Sequence, residues 1–223
     1  MSSGKEIFES ALQGLLTLKN SSEPDNWVAR RLLLDDFSTD SAWTLLNELI
    51  QNAVDAGASK IAIYVEQESI IMEHNGEKEL TKGAIEGLCA FNASTKKLDS
   101  VGFMGLGFKS FVHYFSKVTI ASALNDIDVR FSTECPISGT SWKEIETLYE
   151  PYWIDDEIPF TEGMKTYFRF DEPHDNAMGK MKEALLTFDT KKLAILAKRG
   201  LKELRLQDFE YIAENNDDIV NIS

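Results

Sequence analysis

Trp43-Thr-Leu-Leu-Asn-Glu48-Leu-Ile-Gln-Asn52-Ala-Val-Asp55-Ala-Gly57 is the stretch whose reading decides the fold. Leu45, Leu46, Leu49, Ile50, Ala53 and Ala56 recur at helical spacing, Ser38 to Ser41 offers start signals and Gly57 a stop, so a helix is predicted here. Glu48, Asn52 and Asp55 stand at i, i+4 and i+7 and project from one face of it. A helix this apolar is mostly buried, and carboxylates or amides drawn in with it are costly unless something pairs with them. Two readings follow. Either the polar stripe grips a metal ion with a phosphate chain, or Asn52 and Asp55 bond neighbouring loops while Glu48 reaches solvent.

Composition sets the frame around this helix. The 223 residues allow one large domain, or one with a small appendage, and 43% hydrophobic residues with four Trp suffice for a sizeable core. A net charge of −14 disfavours nonspecific attraction to nucleic acid or to an anionic membrane. Cys89 and Cys135 are too few for a disulfide framework or a zinc site and suit a reducing compartment. The first residues carry no long apolar run, so neither a signal peptide nor a membrane span is expected, and the expected location is the cytoplasm.

Outward from the helix, residues 5–19 and the segment with Trp27, Val28 and Leu32 to Leu34 read as packing helices, with Arg30 and Arg31 as solvated surface. Lys60 to Glu66 alternates like a strand, and Gln67-Glu68-Ser69 turns it into a second, Ile70 to Glu73. That strand runs into His74-Asn75-Gly76, where glycine permits a turn or the close approach of a flat ligand. Thr81 caps a helix to about Ala90. Residues 91–102 read as a mobile loop ending in Gly102-Phe-Met-Gly105-Leu106-Gly107-Phe108-Lys109-Ser, and Phe108, Phe111, Val112 and Phe115 fit a buried helix. Glycines feeding a helix leave backbone N–H groups and a positive dipole end aimed at one spot, an anion site; close backbone packing would leave the same letters.

Val118 to Ala123 and Ile127 to Ser132 look like a strand pair. Pro136 to Phe160 is less regular and rich in aromatics, with Trp142, Tyr149, Tyr152 and Trp153. Met164 to Phe170 returns as a strand, Asp175 to Leu186 and Lys191 to Ala197 as helices, and Glu203 to Gln207 as a last strand. The acidic ending from Glu214 reads as a frayed terminus or a linker.

The order of these pieces is more specific than any one of them. Glu48-x-x-x-Asn52-x-x-Asp55-Ala56, two strands with a glycine turn, then Gly102-x-x-Gly105-x-Gly107 resembles the ATP-binding domain of the GHKL superfamily, which takes in DNA gyrase, the large heat-shock ATPase chaperone, histidine kinases and MutL. The Ser94-Thr95-Lys96-Lys97 run and the Gly107-Phe108-Lys109-Ser110 ending look most like the sacsin-type and MORC-type branches. The resemblance implies an α+β fold of the Bergerat type: a two-layer sandwich whose mixed, mostly antiparallel sheet is covered on one face by helices. The likeness spans about residues 40–170, which suggests packing helices over 1–38, the ATP-binding domain over 39–172, and a C-terminal part over 173–223 that completes the domain or leads onward.

Carried over position by position, the resemblance implies ATP and Mg²⁺ as cofactors. Glu48 would be the general base that orients the attacking water, Asn52 a Mg²⁺ ligand, and Asp55 and Ala56 would line the nucleotide pocket. Gly102, Gly105 and Gly107, with Leu106, Phe108 and Lys109, would meet the phosphates. Residues 92–104, including Ser94, Thr95 and Lys96, would form a lid, and Thr166 would lie beneath the adenine. Phosphoryl transfer to water asks mainly for positioning and charge neutralisation, so such a set is chemically sufficient.

One box departs from the family. Its Asp, which accepts from the adenine amino group, is replaced by His74 in His74-Asn75-Gly76-Glu77-Lys78. A neutral imidazole accepts one hydrogen bond without charge, so adenine is expected to be read more weakly by His74, or through Asn75 and water. The alternative is a surface histidine in a loop. The leading expectation is an ATPase whose lid closure drives a conformational or homodimerisation cycle inside a larger chaperone-like or defence assembly. A non-hydrolysing nucleotide switch and a MutL-like or MORC-like DNA clamp remain alternatives, although the acidic balance speaks against direct nucleic-acid binding.

Overall fold

A computed structural model of the chain describes residues 3–21, 42–89, 111, 114–134, 150–188, 195–207, 209–215 and 218–222. The segment with Trp27, Arg30 and Arg31, the lid and glycine box over 91–110, and the aromatic residues Trp142 and Tyr149 lie outside these residues.

The chain opens with α1 (Gly4–Ser21). Its start is closed reciprocally: Ser3 Oγ accepts from the Glu6 N–H at 3.3 Å and the Glu6 carboxylate accepts from the Ser3 N–H at 2.7 Å. The deciding stretch forms α2 (Ala42–Asp55) and buries Ala42, Leu45, Leu46, Leu49, Ile50, Ala53 and Val54. Its end is a Schellman cap, with the Ala58 N–H donating to the Ala53 carbonyl at 2.9 Å, the Gly57 N–H donating to Val54 at 2.9 Å, and Gly57 at φ +81°. A Cβ at Gly57 would meet nothing within 4 Å. Gly57→Ala therefore carries only backbone strain, and urea unfolding is expected to show a loss of about 1–2 kcal/mol.

Strands β1 (Lys60–Val65) and β2 (Ile70–His74) follow as an antiparallel pair, then α3 (Lys82–Cys89), whose Ala84 N–H is capped by Thr81 Oγ1 at 3.3 Å. The strands β3 (Phe115–Leu124) and β4 (Ile127–Glu134) meet across Asn125 and Asp126, at φ 53° and 62°. Two left-handed residues in a row match the twist of the strands they join. Next come β5 (Glu150–Trp153), β6 (Thr166–Pro173), α4 (Ala177–Leu186), β7 (Glu203–Leu206), β8 (Phe209–Asn215) and β9 (Asp218–Ile222).

The nine strands among the described residues join one sheet in the order β5-β4-β3-β6-β2-β1-β7-β8-β9. Every pairing is antiparallel except β1 with β7. The α+β class and the mostly antiparallel sheet are as expected.

The two faces of the sheet differ. On one, the row Ile63-Met72-Phe168-Ile120-Phe131 packs into the core together with α1, α2 and α4. Phe8 of α1 lies tilted against Phe131 at 5.6 Å, and Trp43 of α2 stacks at 5.4 Å on Phe188, just past α4. The other face is largely polar. Arg169 bonds Asp171 at 2.8 Å and pairs with Glu66 at 3.3 Å, while Lys117 pairs with Glu134 at 3.6 Å. The segment after β5 crosses part of this face, and both the backbone N–H and the hydroxyl of Thr161 donate to the buried Glu73 carboxylate. That cover explains why Ala62 is as buried as Ile61 and Ile63, against the simple alternation expected of β1.

Three expectations are corrected. Phe115 opens a strand rather than continuing a helix from Phe108; Phe111 and Phe115 instead flank Phe170, at 5.9 and 5.8 Å, so aromatic spacing alone mimicked a helix face. Pro136 to Phe160 is not irregular throughout, since Glu150–Trp153 pairs with β4. The acidic ending is not frayed: Phe209–Asn215 and Asp218–Ile222 form a hairpin on the sheet edge, held by backbone pairing of β8 with β7 and of β9 with β8. No helix among the described residues is long and apolar enough to cross a membrane.

Candidate functional site

The site grows from the end of α2. The turn after it is pinned by Asn75, whose Oδ1 accepts from the Ser59 N–H at 2.9 Å and the Lys60 N–H at 2.8 Å, while Nδ2 donates to Ser59 Oγ at 3.0 Å. The loop after β2 is thereby folded back onto the helix terminus. The Glu77 N–H donates to the Ala56 carbonyl at 2.9 Å, and a Cβ at Gly76 would come within 3.0 Å of the Ala56 Cβ and within 2.9 Å of His74 Nδ1. Glycine at position 76 is thus required by close approach.

His74 is the last residue of β2 and is buried, 5% exposed. The reading of it as a surface loop histidine is therefore set aside. It faces Thr166 directly across to β6, and Thr166 in turn faces Ser122 on β3. All three are buried polar side chains in the row that begins at Ile61, on the helix-covered side. Phe168 lies 6.2 Å from the His74 ring at an interplanar angle of 29°. Beside Ser122 a cavity of about 230 Å³ opens between α1, the start of α3 and the β3–β4 hairpin, lined by Ile7, Ser10, Leu80, Leu124 and Val129 among others. It falls short of the roughly 300–1,000 Å³ of sites that enclose a whole ligand, and so has room for part of one. No residue of α2 lines it.

Burial pushes the His74 pKa down to about 4, so the ring is neutral near pH 7. Its Nδ1 accepts from the Gly76 N–H at 3.1 Å. A neutral imidazole that accepts at Nδ1 carries its proton on Nε2. This corrects the expectation that His74 accepts from an adenine amino group: the accepting nitrogen is already used within the loop. The fallback through Asn75 meets a similar obstacle, because its carboxamide is committed to residues 59 and 60.

The titration has a consequence for stability. The unfolded chain binds a proton at His74 near pH 6.5 and the folded chain only near 4. The contribution of His74 is therefore intact above pH 6.5 and is lost as the pH falls through this window, by roughly 3 kcal/mol in all. Urea unfolding at pH 7 and pH 4.5 is expected to show most of that difference, with His74→Gln less sensitive to acid than the parent chain. Equal pH slopes would contradict the assignment.

On α2, Glu48 and Asn52 are both half-buried, one turn apart on a single face, and both interact with their surroundings. They are neither out in bulk water nor sealed in hydrocarbon. Asp55 takes part in an ion pair that the sequence did not reveal, with Arg199 at 2.6 Å. Arg199 follows the last described helical turn, far along the chain, and no local pattern announced it. Ser122 and Ser59 were likewise missed, since a serine in a strand or turn carries no signal of its own.

The described residues thus bring together Ala56, His74, Gly76 and Thr166, with Asn75 as the brace beneath them. Ser94, Thr95, Lys96, Gly102, Gly105, Leu106, Gly107, Phe108 and Lys109 lie outside the described residues. Among the described residues no group of three or more His, Cys, Asp or Glu could hold a metal ion by itself. Comparison of the chain with models of known protein families and with curated protein sequences finds no match.

Proposed function

We propose that the chain is a GHKL-type module with a Bergerat-type fold that binds ATP with Mg²⁺ and hydrolyses it. The observation that carries this reading is the convergence of Ala56, Gly76 and the His74–Thr166 pair on the helix-covered side of the sheet. The family resemblance implies one pocket for these positions, and Thr166 is distant from the others along the chain. A mostly antiparallel sheet with its helices on one face supports the same reading.

In this scheme the polar row of His74, Thr166 and Ser122 meets the base, and the tight Gly76–Ala56 contact leaves backbone rather than side chains beside it. Asn52 supplies its side-chain oxygen to Mg²⁺, and Glu48, one turn earlier, takes the proton of the attacking water. Bound Mg²⁺ neutralises charge on the triphosphate. Gly102, Gly105 and Gly107 with Lys109 hold the phosphates, and the lid over 92–104 closes on them. Closure then drives a conformational or homodimerisation cycle in a larger chaperone-like or defence assembly. The test is phosphate release from ATP with and without Mg²⁺. Magnesium-dependent turnover is expected, and its absence in a chain that binds ATP would favour the non-hydrolysing switch.

A further inference from the structure

His74, Thr166 and Ser122 interrupt a largely apolar sheet face, paired side by side across three strands and each at most 5% exposed. Two of them are hydroxyls, which donate or accept as a ligand requires. His74 has no such freedom. The Gly76 N–H occupies Nδ1 at 3.1 Å, and the loop that delivers it is wedged against Ala56 and tied down by Asn75. The proton is left on Nε2, and burial keeps a second proton off the ring.

We propose that His74 makes the base subsite a hydrogen-bond donor, so that a purine nucleoside triphosphate with a carbonyl at position 6 binds at least as tightly as ATP. This rests on the nucleotide reading of the site and names the base it takes. A 6-amino group set against an N–H leaves two donors opposed and stripped of water, whereas a 6-carbonyl oxygen accepts from Nε2. A 6-oxopurine also carries a proton on its ring N1, which the hydroxyl of Thr166 or Ser122 can accept.

The test compares ITP with ATP, which differ only around this edge of the base, each titrated with Mg²⁺ into the full chain and into His74→Asp. A long-range ¹H–¹⁵N correlation spectrum of the three histidines, with His74 assigned from the variant His74→Asn, reads the tautomer directly. The expected results are an Nε2–H tautomer, a Kd for ITP no higher than that for ATP, and a ratio that moves at least tenfold toward ATP in His74→Asp, where a carboxylate accepts from the amino group. An Nδ1–H tautomer, a tenfold preference of the parent chain for ATP, or an unmoved ratio in the variant overturns the proposal. Tight ATP binding with that preference leaves the nucleotide reading standing, whereas a chain that binds neither triphosphate removes both. If His74→Asp does not fold, the tautomer and the ratio in the parent chain decide.

Discussion

Glu48→Ala is expected to lower phosphate release from ATP by about 10²–10⁴-fold, the span that a positioned general base contributes. Nucleotide affinity is expected to stay within a few-fold, because the proposed role of Glu48 is on water rather than on the triphosphate. Glu48 is half-buried on α2, one turn from Asn52. Glu48→Gln, which keeps the shape and removes the basicity, should fall almost as far. Single-turnover phosphate release beside equilibrium ATP binding separates the two effects. Equal turnover in parent and variant removes Glu48 from the chemistry.

The second large effect falls on the scaffold. Phe170 is fully buried at the middle of β6, between Ile70 of β2 and Val118 of β3, with Phe111 and Phe115 around it. Phe170→Ala removes the ring against which both ends of the turn into β3 pack. Urea unfolding is expected to lose about 3–5 kcal/mol. Against a typical stability of about 5–15 kcal/mol, that is a large share of the whole. The loss also bears on function, because β6 carries Thr166 four residues earlier. A loss under about 1 kcal/mol would mean that this aromatic cluster collapses around the gap rather than holding the strand in place.

Much of the architecture was legible in the sequence because it is written in local periodicity. The α2 helix, its Gly57 stop, the Thr81 cap and the β1–β2 and β3–β4 pairs each depend on residues within a few positions of one another. What escaped depends on distant partners or on competition between patterns. Phe111 and Phe115 fit a helix face as well as a turn and a strand, and only Phe170 decides between them. The last hairpin hid because acidic residues separate short apolar runs that make sense only beside β7.

At the site the same limit holds. The return of the loop after β2 to Ala56 depends on packing between segments about twenty residues apart. Which nitrogen of His74 carries the proton was not legible either, since it follows from a single hydrogen bond set by loop packing. The Asp55–Arg199 pair joins positions that no short-range pattern connects.

The central claim is that Asn52, on the polar stripe of a largely apolar helix, holds a magnesium nucleotide. Calorimetric titration of the full chain with ATP, with and without Mg²⁺ and beside Asn52→Ala, tests it most directly. One site per chain is expected, with affinity that depends on Mg²⁺ and falls at least tenfold in the variant, while the Mg²⁺ dependence disappears. Binding that is equally tight in Asn52→Ala, or no binding of ATP at all, would contradict it.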